Sequence, residues 1–277
     1  MNESQDYPLG YSEQEARRLA EQGALLEEFT ADALRRAGLR QGMQVLDIGC
    51  GVGDVSLLAA RAVGRDGAVL GIDRALTSLE TARRRLASSG VTNVRFAQAD
   101  LATFETEQTF DAIVGRLVLL YLPDPEATLR RLLRVLRPGG IVALQEFDLS
   151  QVSQTPASEL FLQARRWIIE AFIAGGAQVD MGTRLYTTFL HAGLPAPEMI
   201  AGAFVGAGPR TPGYRYMVDV LRSLLPLIER SGIAKIEEIG IETLARRLLD
   251  DAVANERVAF MPRLVSAWAA VAQNGAA

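Results

Sequence analysis

The 277-residue chain contains one cysteine, Cys50, and one histidine, His191. A single thiol excludes an intramolecular disulfide and a cysteine-based metal cluster, and no metal site is expected. Long hydrophobic runs are missing as well. The densest apolar stretch, around Leu117 to Leu122, is far too short to span a bilayer. The opening Met-Asn-Glu-Ser-Gln-Asp is polar and acidic, unlike a secretory or organelle signal, so a cytoplasmic protein is expected. Charge of one sign is also scarce: 29 basic residues against 33 acidic ones leave a net −4. That balance argues against a nucleic-acid-binding surface. The run Arg83-Arg84-Arg85 falls on a predicted helix among apolar residues and reads as a solvated face. No internal repeat or low-complexity tract is visible.

What is present is an ordinary globular composition, 49% hydrophobic, enough to bury a sizeable core. Ser12-Glu13-Gln14-Glu15 has the form of a capping box. Behind it Leu19, Leu26, Ala33 and Leu34 recur at helical spacing up to Ala37-Gly38. From Met43 the pattern alternates: strands at Val45–Ile48, Ala68–Asp73, Val94–Ala97 and Phe110–Val114, with helices at Asp54–Val63 and Ser78–Ala87. A helix over Glu126–Leu136 is expected to break at Pro138-Gly139-Gly140 before a fifth strand, Ile141–Leu144. Such alternation predicts an α/β fold, a doubly wound and mostly parallel sheet covered on both faces. After Asp148 the rhythm is lost. Ser150–Ser158 and Gly206–Gly213 read as loops, Met181–His191, Tyr214–Ile228 and Ile236–Leu249 as helices, and Glu198–Val205 as a strand. Val258–Trp268 fits helix or strand. The expected organisation is an N-terminal helical segment (1–40), a core (41–150), and a helical cap with the last strands (151–277).

The segment that carries chemistry is Asp47-Ile48-Gly49-Cys50-Gly51-Val52-Gly53. It leaves a strand and enters a helix, so the backbone can turn tightly and approach a ligand without side-chain clash. The helix N-terminus behind it offers unpaired N–H groups. Glycines alone name no ligand, since such loops also bind dinucleotides. The spacing is sharper, because the sixth position of the run is Asp54 and an extra acid, Asp47, precedes the first glycine. Asp73 ends the second strand 20 residues beyond Gly53, where a carboxylate can accept both hydroxyls of a ribose. Asp100 opens a turn after the third strand.

This loop and its context, Val45 to Gly53, resemble motif I of class I S-adenosylmethionine (SAM)-dependent methyltransferases. Phe110 to Asp124 and Leu136-Arg137-Pro138-Gly139-Gly140 resemble the ubiquinone-biosynthesis-type small-molecule enzymes of that family. The resemblance covers about residues 40–148 and implies a Rossmann-like, seven-stranded methyltransferase fold with SAM as cofactor. It implies that Asp47 helps hold the methionine part, directly or through water, beside Gly49, Gly51 and Gly53. By the same match Asp73 takes the ribose, with Arg74 flanking the adenine. Asp100 accepts from the adenine amino group and the Leu101 N–H reaches a ring nitrogen. Arg116 would start the loop beside the methyl group, a surface salt bridge being the other reading. An N-terminal helix closes over SAM in related enzymes, which makes Tyr7, Tyr11 and Gln22 candidates for the methionine end. Ala192-Gly193-Leu194 would precede strand six and Val265–Trp268 would lie in strand seven, with residues 211–255 a helical insertion between them.

Methyl transfer from a sulfonium needs alignment in a dry pocket more than it needs a base. If the acceptor must lose a proton, the candidates at the sheet edge are Tyr121, Glu146 and Asp148; a capping role for Glu146 stands beside the catalytic one. His191 reads as a helix-end residue favoured by the dipole, and Cys50 as a packing residue. Phe161, Trp167, Phe172, Tyr186, Phe189, Tyr214, Tyr216 and Met217 enrich the cap in apolar side chains. They suggest a small, apolar or natural-product-like acceptor rather than a nucleic acid or membrane partner. A homodimer is allowed by the sequence and not required by it. Two other functions are kept: a cyclase or isomerase of the same fold that holds SAM structurally, and an NAD-dependent oxidoreductase.

Overall fold

The computed structural model describes residues 8–10 and 13–272. Ser12 of the expected capping box lies outside them. Along the chain come α1 (Glu13–Arg36), β1 (Gln44–Ile48), α2 (Asp54–Val63), β2 (Ala68–Asp73), α3 (Leu76–Ser89), β3 (Val94–Gln98), β4 (Phe110–Arg116), α4 (Pro125–Leu132) and β5 (Leu136–Asp148). Then follow β6 (Ser153–Thr155), α5 (Glu159–Ala174), α6 (Met181–Ala192), β7 (Glu198–Gly202) and β8 (Val205–Ala207). The last are α7 (Gly213–Arg230), α8 (Ile236–Ile239), α9 (Ile241–Ala254), β9 (Val258–Phe260) and β10 (Arg263–Ala270).

Seven strands form one sheet in the order β3-β2-β1-β4-β5-β10-β7. The pairs β1–β2, β2–β3, β1–β4 and β4–β5 are parallel. β1 is buried on both faces: Val45, Leu46 and Ile48 have no exposed surface, as strands covered by helices on either side require. Val55, Ala59 and Val63 of α2 close one face over Val45, Val69 and Val114, each valine contributing roughly 1.5–3 kcal/mol by leaving water. Strand order reverses between β1 and β4, where Ile48 pairs with Gly115. A ligand crevice belongs at that reversal, at the carboxyl ends of the strands.

Two compact units divide the chain. The first holds most of the seven-stranded sheet: the described residues of 11–146, then 182–200 and 265–272. The second holds 8–10, 147–181 and 201–264, with α5, α7 and α9 and a three-stranded antiparallel sheet, β6-β9-β8. In the second unit the Tyr214 hydroxyl accepts from the Gln154 carboxamide at 3.0 Å, and its ring meets Phe161 edge-on at 6.4 Å.

Several expectations need correction. The Pro138-Gly139-Gly140 step does not separate helix from strand. α4 ends at Leu132, β5 already starts at Leu136, and the step is a bulge between the pairs Phe110–Leu136 and Ala112–Ile141. The expected loops at 150–158 and 206–213 contain β6 and β8, three residues each, whose shared partner β9 is distant in sequence. The strand expected at 198–205 is two strands in two different sheets, β7 and β8. Gly240, left-handed at φ 57, splits the helix expected over 236–249 into α8 and α9. The ambiguous 258–268 segment is two strands. β10, which carries Val265–Trp268, does lie in the large sheet beside β7, and α7 to α9 do fall between those strands in sequence.

Candidate functional site

β1 runs out at Ile48, and the chain turns through residues 49–53 before α2 begins. Gly49, Gly51 and Gly53 all have positive φ, at 57°, 51° and 87°. Two of them define the loop differently. A Cβ on Gly49 would lie 2.4 Å from Val118 Cγ2, so this glycine lets the loop after β4 close down on it; a Cβ on Gly51 would meet nothing within 4 Å. Among the described residues, the backbone beside Gly51 is therefore open to a ligand, while the loop beneath it is packed.

Asp73 holds the loop from β2. Its Oδ2 accepts from the Gly51 N–H at 2.8 Å and its Oδ1 from the Ala75 N–H at 2.9 Å. Burial raises its pKa against the pull of those N–H groups and of Arg74. Asp47 is buried at the end of β1. Its Oδ2 accepts from the Ser56 hydroxyl of α2 at 2.5 Å, and Oδ1 has no partner among the described residues. Burial pushes its pKa up to about 7, with Asp73 and Asp54 adding to the rise and Ser56 and Arg116 opposing it. A buried carboxylate oxygen without a donor, on the strand that leads into the glycine loop, fits a ligand that brings a positively charged donor.

Asp54, the residue that departs from the dinucleotide pattern, is a junction. Its Oδ1 accepts from Arg85 at 2.6 Å, Arg116 lies 3.8 Å from its Oδ2, and a Cβ on Gly23 of α1 would fall 2.3 Å from its Cγ. Arg116 is not a surface residue. Its side chain is 7% exposed, and it donates to the Thr30 hydroxyl of α1 at 2.9 Å. Arg83 and Arg84 are exposed, as expected of their run, but Arg85 departs from it: besides Asp54 it donates to the Val52 carbonyl at 2.7 Å, inside the glycine loop. Arg85 follows the buried Leu79 and Ala82 on one helical face, but both of its partners are distant in sequence. Ser56 and Thr30 were missed too, and nothing in their sequence context marks them.

The remaining candidates spread along the same sheet edge. The Ala99 N–H donates to the Asp73 carbonyl at 3.0 Å, which brings the start of the next turn beside β2. Asp100 is exposed there and accepts from the Ala102 N–H at 2.7 Å. Leu101 is buried, its carbonyl accepting from Arg131. Arg74 is exposed, its carbonyl accepting from Gln98. Gln22 is buried on α1, next to Gly23. Tyr7 and Tyr11 lie outside the described residues.

Glu146, at the carboxyl end of β5, has no exposed surface. Its Oε1 accepts from the N–H groups of Val118 and Leu119 at 3.0 and 2.7 Å. Oε2 has no partner among the described residues, and burial pushes the pKa up to about 8. Tyr121 ends the 3-10 turn Leu119–Tyr121 that these bonds hold. Asp148 is engaged elsewhere, by Ser150 and by Arg263 at 3.0 Å. His191 is exposed, its Nδ1 3.0 Å from Glu126 Oε1. Cys50 is buried, and burial pushes its thiol pKa well up, as suits a packing residue. Of the cap side chains, Phe161, Trp167, Phe172, Phe189, Tyr214 and Met217 are buried as core, whereas Tyr186 is exposed.

A doubly wound sheet with an open glycine loop and acids at the ends of β1 and β2 defines a nucleoside-binding α/β protein. Residues 39–190 match the family described as the methyltransferase domain, and the chain belongs to it. A ubiquinone/menaquinone biosynthesis C-methyltransferase of Idiomarina loihiensis is 38% identical over 126 residues, covering 45% of this chain and 49% of that protein. This match thus spans about half of the relative's length. A 2-phytyl-1,4-naphtoquinone methyltransferase of Thermosynechococcus vestitus is 32% identical over 200 residues, 72% of this chain and 76% of that one. The YcgJ protein of Bacillus subtilis superposes with a TM-score of 0.59 at 17% identity, over 89% of this chain and all of that one, a likeness of fold.

Proposed function

We propose that this chain transfers a methyl group from SAM to a small-molecule acceptor. The observation that carries the reading is the pairing of an open backbone at Gly51 with the unpartnered, buried Oδ1 of Asp47, in a chain of the methyltransferase family. The cofactor supplies a methyl group on a sulfonium, which already leaves well. The protein's residues bind and orient. Asp73, at the end of β2, takes the ribose, its two oxygens already oriented by the Gly51 and Ala75 N–H groups. Asp47 takes the methionine ammonium, with Gln22 of α1 and Arg116 at the end of β4 as further contacts to the cofactor. Asp100 and the Leu101 N–H take the adenine edge, with Arg74 alongside.

The quinone methyltransferases among the relatives support an apolar acceptor for this chain too. The cap aromatics lend little to it, since most are core. Among the described residues no helix is long and apolar enough to cross a membrane. We place the reaction in the cytoplasm, a reading that the single cysteine supports.

The test is calorimetric titration with S-adenosylhomocysteine and NAD, followed by transfer of radiolabelled methyl to a panel of quinols and small acids. Micromolar binding of the thioether and label in an acceptor are expected. NAD binding instead would overturn the cofactor. Binding of SAM with no label transferred to any acceptor would leave the cyclase or isomerase reading.

A further inference from the structure

We infer that Glu146 is a positioning residue, whose buried carboxyl shapes the turn that seats Val118 on Gly49 and so sets the glycine loop. The inference rests on the reading of residues 49–53 as the cofactor loop. Three successive N–H groups after β4 converge on the end of β5. Leu117, in the left-handed region at φ 57, donates to the Gln145 carbonyl at 2.8 Å. Val118 and Leu119 donate to Glu146 Oε1 at 3.0 and 2.7 Å, and the Leu120 N–H adds to that pull.

Consecutive N–H groups curled round one point make a concavity that binds an anion or a carbonyl oxygen. Here the oxygen comes from the protein itself. A bulky residue at positive φ is uncommon and persists only where its surroundings hold it; Glu146 and Gln145 together provide that hold. The product is the placement of Val118. Its Cγ2 occupies the space where a Cβ on Gly49 would sit, 2.4 Å away, so the turn and the glycine loop interlock. The same turn ends at Tyr121, and its position follows.

A general base would need its free oxygen ionised and turned to an acceptor. Glu146 is buried, and burial favours the neutral acid at neutral pH. In that form Oε1 is the carbonyl that accepts and Oε2 carries the proton. Glutamine reproduces this arrangement and alanine removes it.

The experiment compares wild type, Glu146→Gln, Glu146→Ala and Val118→Ala. Amide hydrogen exchange is followed on the protein without added cofactor, and affinity for S-adenosylhomocysteine by calorimetry. In Glu146→Ala the amides of residues 117–121 should exchange at least tenfold faster, and affinity should fall at least tenfold. Glu146→Gln should restore both to within about threefold of wild type. Val118→Ala should weaken affinity while leaving the amides of 118 and 119 protected, which keeps a readout if Glu146→Ala does not fold. Unchanged exchange in Glu146→Ala would overturn the inference, as would failure of glutamine to rescue. So would a Glu146→Gln enzyme with intact affinity, turnover down a hundredfold and no pH-rate limb near 8, the signature of a base. If wild type does not bind the thioether, the cofactor reading fails, and the exchange arm still decides what Glu146 holds.

Discussion

In its proposed role Asp47 couples its protonation state to ligand binding. With its pKa raised to about 7, the folded protein keeps a proton that the unfolded chain releases near pH 4. The folded state therefore binds more protons between those values, and this group's contribution to stability falls as pH rises from about 4 to about 7. Ligand binding runs the other way, since the methionine ammonium favours the ionised form. Affinity for S-adenosylhomocysteine should thus weaken below pH 7, approaching tenfold per pH unit. Asp47→Asn should bind more weakly at pH 8 and lose that slope; titrations at pH 5.5 to 8 check both. Gly49→Ala tests the loop itself. It combines a left-handed backbone, costing roughly 1–2 kcal/mol, with overpacking against Val118 that costs about 1–3 kcal/mol. Denaturant melts should show the loss, with cofactor binding abolished. The acids and glycines were legible in the sequence because strand ends and turns are local constraints. Arg85 was not, because its partners Val52 and Asp54 are over thirty residues away, and arginines on a helix resemble solvated charge until the neighbouring face is placed.

At the scale of elements, α1 is joined to the glycine loop by close approach as well as by apolar burial. Gly23 lies mid-helix, where alanine would ordinarily add about 1 kcal/mol of helix stability. Here the added methyl would reach the Asp54 carboxyl, which must shift away from Arg85 and Arg116. Gly23→Ala should therefore fail to stabilise the protein and should weaken S-adenosylhomocysteine binding several-fold, as calorimetry alongside thermal melts would show. The parallel core was legible because β1 to β4, five to seven residues each, are mostly apolar and alternate with amphipathic helices. β6, β8 and β9 were not, since a three-residue strand shows no periodicity and β6 and β9 lie about a hundred residues apart. β5 is intermediate. Its apolar run from Ile141 was visible, but a bulge through Pro138 and two glycines resembles a helix stop until pairing with β4 continues across it.

The seven-stranded sheet is assembled from distant parts of the chain. β7 and β10 complete it beyond β5, and the Val271 N–H reaches the Gly140 carbonyl at 2.9 Å. A fragment ending at residue 150 would keep the glycine loop and every acid proposed to hold SAM. It would leave β5, thirteen residues long, as an open edge, which invites pairing with other chains. Size-exclusion chromatography of that fragment should show aggregate, not a compact monomer. The same layout has a consequence during synthesis. β10 sits between β5 and β7 in the sheet but leaves the ribosome after both, some sixty residues behind β7. At roughly 5–20 residues per second, the outer edge of β5 waits several seconds for its neighbour, and β7 has no place to dock until then. That interval, more than the finished structure, is when a cell with scarce chaperones would lose this protein.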